Sequence, residues 1–284
     1  MKLYGLRRFV HAAVAITFAS CLLAADAKLS IVKESVQMIE VGPSLGPGES
    51  YVAGETVYFS CQIAGFQVSQ KEKIALEWDI AVRDAAGLAL VPPYAGKVEA
   101  DILQEDKKWM PKARHNFLIP PHAPAGEYKI IFHAKDTHSG SEITKELTFP
   151  VRGPKVEPSE TFVVRNLRFF RAEEDRQALR VVAYRPGDTV FARFDIVGYK
   201  LGPENAFDVD YGIEILKETG ESLFAQPSAA GEKDQTFYPR RWVPGVMNLP
   251  IPKDLAKATY VLVIKANDKV GNQAAETRAN FTVE

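Results

Sequence analysis

The sequence predicts an all-β protein made of two antiparallel β-sandwich domains in tandem, related by internal duplication. Three observations carry this prediction: apolar residues that alternate with polar ones over short segments, glycines that interrupt these segments at turn-like intervals, and one long internal repeat. A period of two residues is typical of half-buried strands. No long stretch of the body of the chain shows a helical stripe, and short strands with regular turns indicate a sandwich.

The internal repeat relates the two halves of the chain at an offset of 133 residues. The opening motif has these identical pairs: Tyr51 and Tyr184, Gly54 and Gly187, Thr56 and Thr189, Val57 and Val190. The same offset places Trp109 on Trp242, after which it becomes 132 and pairs Tyr128 with Tyr260. One register held for about a hundred residues indicates duplication of a unit that can enclose its own core.

Each repeat contains three segments in which the alternation is clear. In the first repeat their apolar positions are Val57, Phe59, Cys61 and Ile63; Leu76, Trp78, Ile80 and Val82; and Tyr128, Ile130, Phe132 and Ala134. In the second they are Val190, Ala192, Phe194 and Ile196; Val209, Tyr211, Ile213 and Ile215; and Tyr260, Leu262, Ile264 and Ala266. We expect these residues to form the interior faces of strands.

Composition excludes several classes of protein. The chain has 284 residues, of which 46% are hydrophobic and 25% charged, as in a folded globular protein. A formal net charge of −1 gives no electrostatic case for a nucleic-acid partner or for an anionic membrane surface. Two cysteines are too few for a disulfide scaffold or a Cys-rich zinc module.

The N-terminus has the pattern of a secretory signal peptide. Lys2, Arg7 and Arg8 precede an apolar run, and Ala25-Asp26-Ala27 supplies small residues at a cleavage site. Two alternatives stay open: a retained membrane anchor, and lipidation at Cys21. We expect residues 1–27 to be removed, leaving Cys61 as the single cysteine and no further membrane span in the mature chain. The protein is then exported, to the periplasm, the cell surface or the medium.

A short Pro-rich connector divides the mature chain. Gly153, Pro154 and Pro158 lie between the two repeats, and a connector of this composition is stiff. The sequence predicts a first domain at residues 28–152, a linker at 153–160 and a second domain at 161–284.

Each repeat resembles a bacterial immunoglobulin-like domain of the kind found in series along secreted and surface proteins. The residues that carry the resemblance are the opening Tyr-x-x-Gly-acid-Thr-Val motif, the Gly126-Glu-Tyr128 strand and the closing hairpin at residues 266–272. The likeness covers about residues 31–284 and extends almost as well to fibronectin type III and macroglobulin-like sandwiches. It implies an Ig-like sandwich and says little about function.

The sequence gives no catalytic centre. It contains no Gly-x-Ser-x-Gly elbow, no His-Glu-x-x-His motif and no glycine-rich phosphate loop. Cys61 lies at an apolar strand position, which is typical of a small buried hydrophobic residue rather than a nucleophile. We therefore predict a protein that is not an enzyme and that has no bound cofactor.

Two groups of residues raise the question of a metal. Asp136 and Asp268 occupy equivalent turns, where Asp bonds its own backbone, but a calcium role stays open. His133 and His138 flank Asp136, yet their counterparts in the second repeat are Lys265 and Val270, so the fold does not depend on them. We predict no metal site.

The second repeat has a surplus of aromatic and arginine residues that the first lacks. Tyr238, Arg240, Arg241 and Trp242 stand where the first repeat has an ordinary polar segment. Arg and aromatic side chains are enriched at protein interfaces. We predict that these four residues form a partner-binding surface, with packing between the domains or filling of the loop as the alternatives.

The function that follows is that of an exported, non-catalytic binding or structural protein. It would act through protein–protein or protein–glycan contacts of two Ig-like modules, with a partner whose identity the sequence does not give. The alternative is a carbohydrate-binding or enzyme-accessory module in which Trp109, Trp242 or nearby tyrosines stack on sugars.

Overall fold

The computed structural model describes residues 28–103, 106, 108–153 and 155–284. The predicted signal peptide, and with it Cys21, lies outside the described residues. In these ranges no helix is both long enough and apolar enough to cross a membrane.

The first half of the described chain is built from eight strands. They are β1 (Ser30–Gln37), β2 (Tyr51–Val52), β3 (Thr56–Ala64), β4 (Lys73–Arg83), β5 (Tyr94–Asp101), β6 (Lys112–Leu118), β7 (Gly126–Asp136) and β8 (Glu142–Arg152). A three-stranded sheet has the order β1-β3-β6, and a five-stranded sheet has the order β2-β8-β7-β4-β5. Neighbours are antiparallel except for β2, which is parallel to β8.

The second half repeats this arrangement. Its described strands are β9 (Val163–Phe170), β10 (Ala183–Tyr184), β11 (Thr189–Val197), β12 (Phe207–Lys217), β13 (Ser222–Asp234), β14 (Trp242–Pro250), β15 (Ala258–Asp268) and β16 (Gln273–Val283). The sheet orders are β9-β11-β14 and β10-β16-β15-β12-β13, with β10 parallel to β16. A short 3-10 turn at Pro203–Asn205 precedes β12.

The alternating pattern places one face of each sheet in an apolar core. All the apolar positions predicted for the three segments of each repeat are buried, from Val57 in β3 to Ala266 in β15. Each half has its own core cluster, to which both of its sheets contribute. The prediction of an all-β fold with two antiparallel sandwiches is therefore confirmed.

Turn contacts recur at equivalent positions of the two halves. The Gly54 N–H donates to the Ile119 carbonyl at 2.9 Å, and the Gly187 N–H donates to the Ile251 carbonyl at 3.1 Å. Both glycines have φ above +90°, a conformation that suits a residue without Cβ. Tyr260 donates to the carbonyl four residues before it, as does its counterpart in β7.

The strand register corrects one detail of the sequence repeat. Gln62 pairs with Lys112, whereas its counterpart Asp195 pairs with Pro244, so the offset is already 132 at the start of β6 and β14. The one-residue deletion therefore precedes these strands. Trp242 corresponds to Met110 rather than to Trp109, and the two tryptophans do not share a packing position.

A change of side-chain size between the halves is compensated across neighbouring strands. In the first half Cys61 of β3 pairs with Ala113 of β6, and in the second Phe194 of β11 pairs with Gly245 of β14. A Cβ added to Gly245 would lie 2.0 Å from Cε2 of Phe194. The large ring is thus accommodated because its partner has no side chain.

We expect Gly245→Ala to destabilise the second half by about 1–3 kcal/mol, since the added methyl group overlaps the Phe194 ring. The double variant Phe194→Cys with Gly245→Ala copies the pair found in the first half and should remove that overlap. Urea unfolding measures both. A Gly245→Ala variant as stable as the wild type would contradict this view of the packing.

Candidate functional site

The connection between β13 and β14, residues 235–241, contains three of the four predicted partner-binding residues and leads into the fourth. We call it the β13–β14 loop. Asn205 donates from Nδ2 to the carbonyls of Thr236 and Phe237 at 3.2 and 2.7 Å, and the Thr236 hydroxyl donates to the Tyr238 carbonyl at 2.8 Å. These bonds fix the first part of the loop against the second half.

Arg240 fixes the end of the loop inside the second half. Its side chain is 7% exposed and forms a bidentate ion pair with Glu232, in which Nη2 donates to Oε2 at 2.7 Å. The guanidinium carbon lies 5.4 Å from the centroid of the Phe207 ring, and the Tyr199 hydroxyl donates to the Arg240 carbonyl at 2.8 Å. A buried guanidinium needs such a paired carboxylate, so Arg240 is an anchor of the loop.

Tyr238 extends in the other direction, into the first half. It is 8% exposed and belongs to the core cluster of the first half. Its hydroxyl donates to Oδ2 of Asp84 at 2.7 Å, and Oδ1 of Asp84 accepts from the N–H groups of Ala86 and Leu88. Burial, reinforced by the bond to Asp84, raises the pKa of Tyr238.

Trp242 forms a second contact between the halves. Its indole N–H donates to Oδ1 of Asp195 at 2.8 Å, and its ring lies edge-on to His122 with centroids 5.9 Å apart. Burial lowers the pKa of His122, and the positive charge of Arg240 lowers it further, against the opposing effect of Glu232 and Asp234. The β13–β14 loop and the start of β14 thus lie at the junction of the two sandwiches.

The residues that remain accessible differ from the predicted set. Tyr238 and Arg240 are buried at the junction, Trp242 is half-buried, and Arg241 is exposed. Phe237, which the sequence did not single out, is 49% exposed. Partner binding by this segment stays a prediction, and the structure adds Phe237 to its accessible surface. The signal for Phe237 was its place beside Tyr238 in the same aromatic run.

A second candidate surface is an apolar groove of about 600 Å³ at the open side of the second sandwich. It lies between β13 and β14, which are edge strands of opposite sheets. The residues that line it are Ile213, Ile215, Leu223, Phe224, Gln226, Asn248, Leu249, Pro250, Ile251, Pro252, Leu255 and Phe281. Leu223 and Phe224 are exposed at its rim.

The first half has a stacked aromatic pair near the equivalent place. There Tyr94 of β5 stacks on His115 of β6, with ring centroids 4.5 Å apart. By strand register, Gln226 takes the position of Tyr94, because each pairs with an equivalent isoleucine. Met247 takes the position of His115 by the same comparison of β11 with β3. At the groove itself the halves differ in another way: Leu90 is buried in the first half, whereas its counterpart Leu223 is exposed at the groove rim.

Asp136 and Asp268 perform the turn role that the sequence favoured. Asp136 accepts from the Gln67 and His138 N–H groups and from the Ser139 hydroxyl. Asp268 is bonded in the same way by Lys200 and two turn amides. Burial acts to raise the pKa of Asp136, but the hydrogen bonds outweigh it and hold the pKa below its ordinary value.

His133, His115 and Cys61 lie in different parts of the first half and do not form a common site. His133 bonds Asp79 at 2.8 Å on the outer face of the five-stranded sheet, and His115 lies under Tyr94. Cys61 is buried in the core, and burial raises the pKa of its thiol to about 12. Among the residues that the structure describes, no three or more His, Cys, Asp or Glu side chains are grouped as metal ligands would be.

The tryptophans differ in how far they are exposed to solvent, and so does Tyr211, the counterpart of Trp78. Trp78 packs in the first core and stacks on Phe132, with centroids 5.5 Å apart. Tyr211, its counterpart, packs edge-on against Phe194. Trp109 is 42% exposed. Of the residues named for sugar stacking, Trp109 therefore presents more of its ring to solvent than Trp242 does.

Comparison with known proteins gives structural likeness only. No protein-family model matches the chain, and no curated protein matches it. The C-terminal domain of the Streptococcus pyogenes antigen I/II-family protein AspA is similar at 11% identity and a TM-score of 0.31, covering 91% of this chain and 99% of that one. The C-terminal domain of the Streptococcus agalactiae AgI/II polypeptide BspA is similar at 10% identity and a TM-score of 0.31, covering 88% and 99%.

A structure of red sea bream transglutaminase is similar at 7% identity and a TM-score of 0.26, covering 89% of this chain. The chain spans about a third of the length of that transglutaminase, 31%. No family follows from likeness of this degree.

We expect Asp268→Ala to lower the free energy of unfolding by about 2–4 kcal/mol, because three backbone donors lose a charged acceptor. Asp254→Ala, at an exposed loop position, is the matched control and should change little. Urea unfolding measures both. The same experiment tests the calcium alternative, because millimolar Ca²⁺ should leave the unfolding midpoint of the wild type unchanged. A rise that Asp268→Ala abolishes would support calcium instead.

Stability should fall as the pH drops from about 7.5 to 5.5, partly through two histidines. Burial lowers the pKa of His115, and burial together with Arg240 lowers that of His122. Below the ordinary histidine pKa of about 6.5 the unfolded chain therefore binds more protons, which favours unfolding. His115→Gln and His122→Gln should each flatten the pH profile of urea unfolding. An unchanged profile in both, equal to that of the exposed His138→Gln control, would contradict this account.

Proposed function

We propose that the protein is an exported, non-catalytic binding module. Its two Ig-like domains would comprise residues 28–152 and 161–284, joined by residues 153–160, after removal of the signal peptide at 1–27. The separate core cluster of each half supports these boundaries, as does the connector between β8 and β9, in which no described residue belongs to a strand. The proposed activity is recognition of a protein partner, with the surface contributed by the β13–β14 loop.

One observation carries this proposal: the loop is held on both sides while two of its side chains, one aromatic and one arginine, face solvent. Arg240 is paired inside the second half, and Tyr238 is bonded inside the first. Phe237 precedes the first anchor and Arg241 follows the second, and both are exposed. A side chain displayed on a fixed backbone loses little conformational freedom on binding, so more of its contact energy appears as affinity.

The type of side chain favours a protein partner. Exposed aromatic and arginine residues supply large contact areas and directed hydrogen bonds, and residues of this kind dominate the energetics of protein interfaces. In this proposal Phe237, Arg241 and the accessible part of Trp242 make the contact. Tyr238 and Arg240, the other two residues of the predicted set, keep the loop in place.

Glycan binding is the second candidate, and the exposure of Trp109 favours it. A flat ring in contact with water is what sugar stacking requires. Trp109 lies between β5 and β6, in the connection that corresponds to the β13–β14 loop, so the two candidate surfaces belong to different halves.

The test is quantitative capture of partners from the native host with the mature form. We expect Phe237→Ala/Arg241→Ala to lower recovery of a partner retained by the wild type by at least about tenfold, as for hot-spot residues. The matched control is Val181→Ala/Arg176→Ala, which removes an exposed apolar side chain and an exposed Arg from the second half outside both candidate surfaces. Circular dichroism confirms that each variant is folded.

Each variant distinguishes one surface. Full recovery with the loop variant would refute the proposed contact. Loss with Phe224→Ala alone would place the partner in the apolar groove. Loss of retention on polysaccharide with Trp109→Ala, without effect of the loop variant, would support the glycan-binding alternative.

A further inference from the structure

The first half uses a side chain of the second half to complete its core. Tyr238 packs in the same cluster as Trp78 and Tyr128, although its backbone belongs to the β13–β14 loop. The phenol ring of Tyr238 is therefore packed among core residues and is not resting on a surface.

The polar end of Tyr238 meets a carboxylate that is itself buried. Asp84 is 5% exposed, and its second oxygen is occupied by two backbone donors of its own turn. The Tyr238 hydroxyl thus supplies the donor for the remaining oxygen, at 2.7 Å. Removal of Tyr238 would leave this buried charge with one oxygen unpaired, which is unfavourable in a low-dielectric site.

One further contact joins the halves near this point. It is the edge-on pair of His122 in the first half and Trp242 in the second. Each end of the connector is packed against the half to which it belongs. At one end Gly153 packs close to the Ala123 carbonyl, and at the other Gly198 packs so closely that an added Cβ would lie 1.9 Å from the Thr161 carbonyl oxygen.

We propose that Tyr238 locks the two halves in one orientation, so that the protein acts as a single stiff unit instead of two modules on a flexible tether. This inference goes beyond the proposed function and does not rest on it. It concerns the fixed relation between the two sandwiches, whatever surface a partner uses. Its physical basis is the buried ring, the hydroxyl–carboxylate bond and the neighbouring aromatic contact.

The experiment measures the distance distribution between spin labels on the two halves of the mature chain. Thr144→Cys and Glu218→Cys place the labels at exposed positions of β8 and of the β12–β13 turn. Cys61 needs no replacement, because it is buried and its thiol pKa is about 12. We expect a narrow distribution in the wild type and a distribution at least about twofold broader in Tyr238→Ala, as for domains without a large interface.

Two tyrosine variants separate the lock from a general loss of stability. Tyr238→Phe keeps the ring and loses the hydroxyl, so it should give an intermediate width. Tyr260→Phe removes a hydroxyl that bonds within the second half, to the Ala256 carbonyl, and should keep the wild-type width. If Tyr238→Ala does not fold, the widths of the distance distributions of Tyr238→Phe and Tyr260→Phe are compared instead, and a broader distribution in Tyr238→Phe supports the lock.

Three outcomes would overturn the lock: a broad distribution in the wild type, a Tyr238→Ala distribution as narrow as that of the wild type, or equal widths for the two Phe variants. Because the readout is a distance, loss of partner capture and loss of the lock are distinguishable.

Discussion

The bond between the Tyr238 hydroxyl and the Asp84 carboxylate is a buried polar contact between the two sandwiches. A buried carboxylate must have all its strong acceptor positions satisfied, and the β4–β5 turn supplies donors for one oxygen only. The other oxygen is satisfied from the second half. The turn that ends β4 therefore depends on a loop about 150 residues later in the chain. Most other polar contacts of the described chain are made within one half.

The buried aspartates obtain their hydrogen-bond donors in two different ways. Asp136 and Asp268 are each saturated inside their own sandwich, by the turn and by the residue that follows β3 or β11. Asp84 has no such counterpart, because the equivalent position is Lys217, which pairs with Glu221 at the surface. Asp84 and Tyr238 are thus two departures from the repeat, and the structure brings them into contact. The residue that is specific to the first half, Asp84, is therefore explained by its contact with a residue that is specific to the second, Tyr238.

The extent to which the structure could be predicted follows from the range of each interaction. Strands such as the one at residues 76–82 can be predicted from the local alternation of apolar and polar residues. The internal repeat indicates that both halves share one architecture. The position of Tyr238 could not be inferred in this way, because its partner Asp84 is distant in sequence and its aromatic type suits a core and an interface equally. The register of Trp242 was misread for a related reason, since a one-residue deletion can be located only by strand pairing.

The remaining differences between the halves can be judged by the same comparison. Cys61 with Ala113 and Phe194 with Gly245 differ in size but fill the same space, so this exchange is neutral for the architecture. Leu90 is buried in the first half, whereas its counterpart Leu223 is exposed at the rim of the apolar groove of the second half. Exposed apolar residues at its rim are unfavourably solvated, and no other part of the described chain buries them. Duplication thus separates positions that the sandwich requires from positions free to serve contacts outside it, and both the β13–β14 loop and the groove fall in the second class.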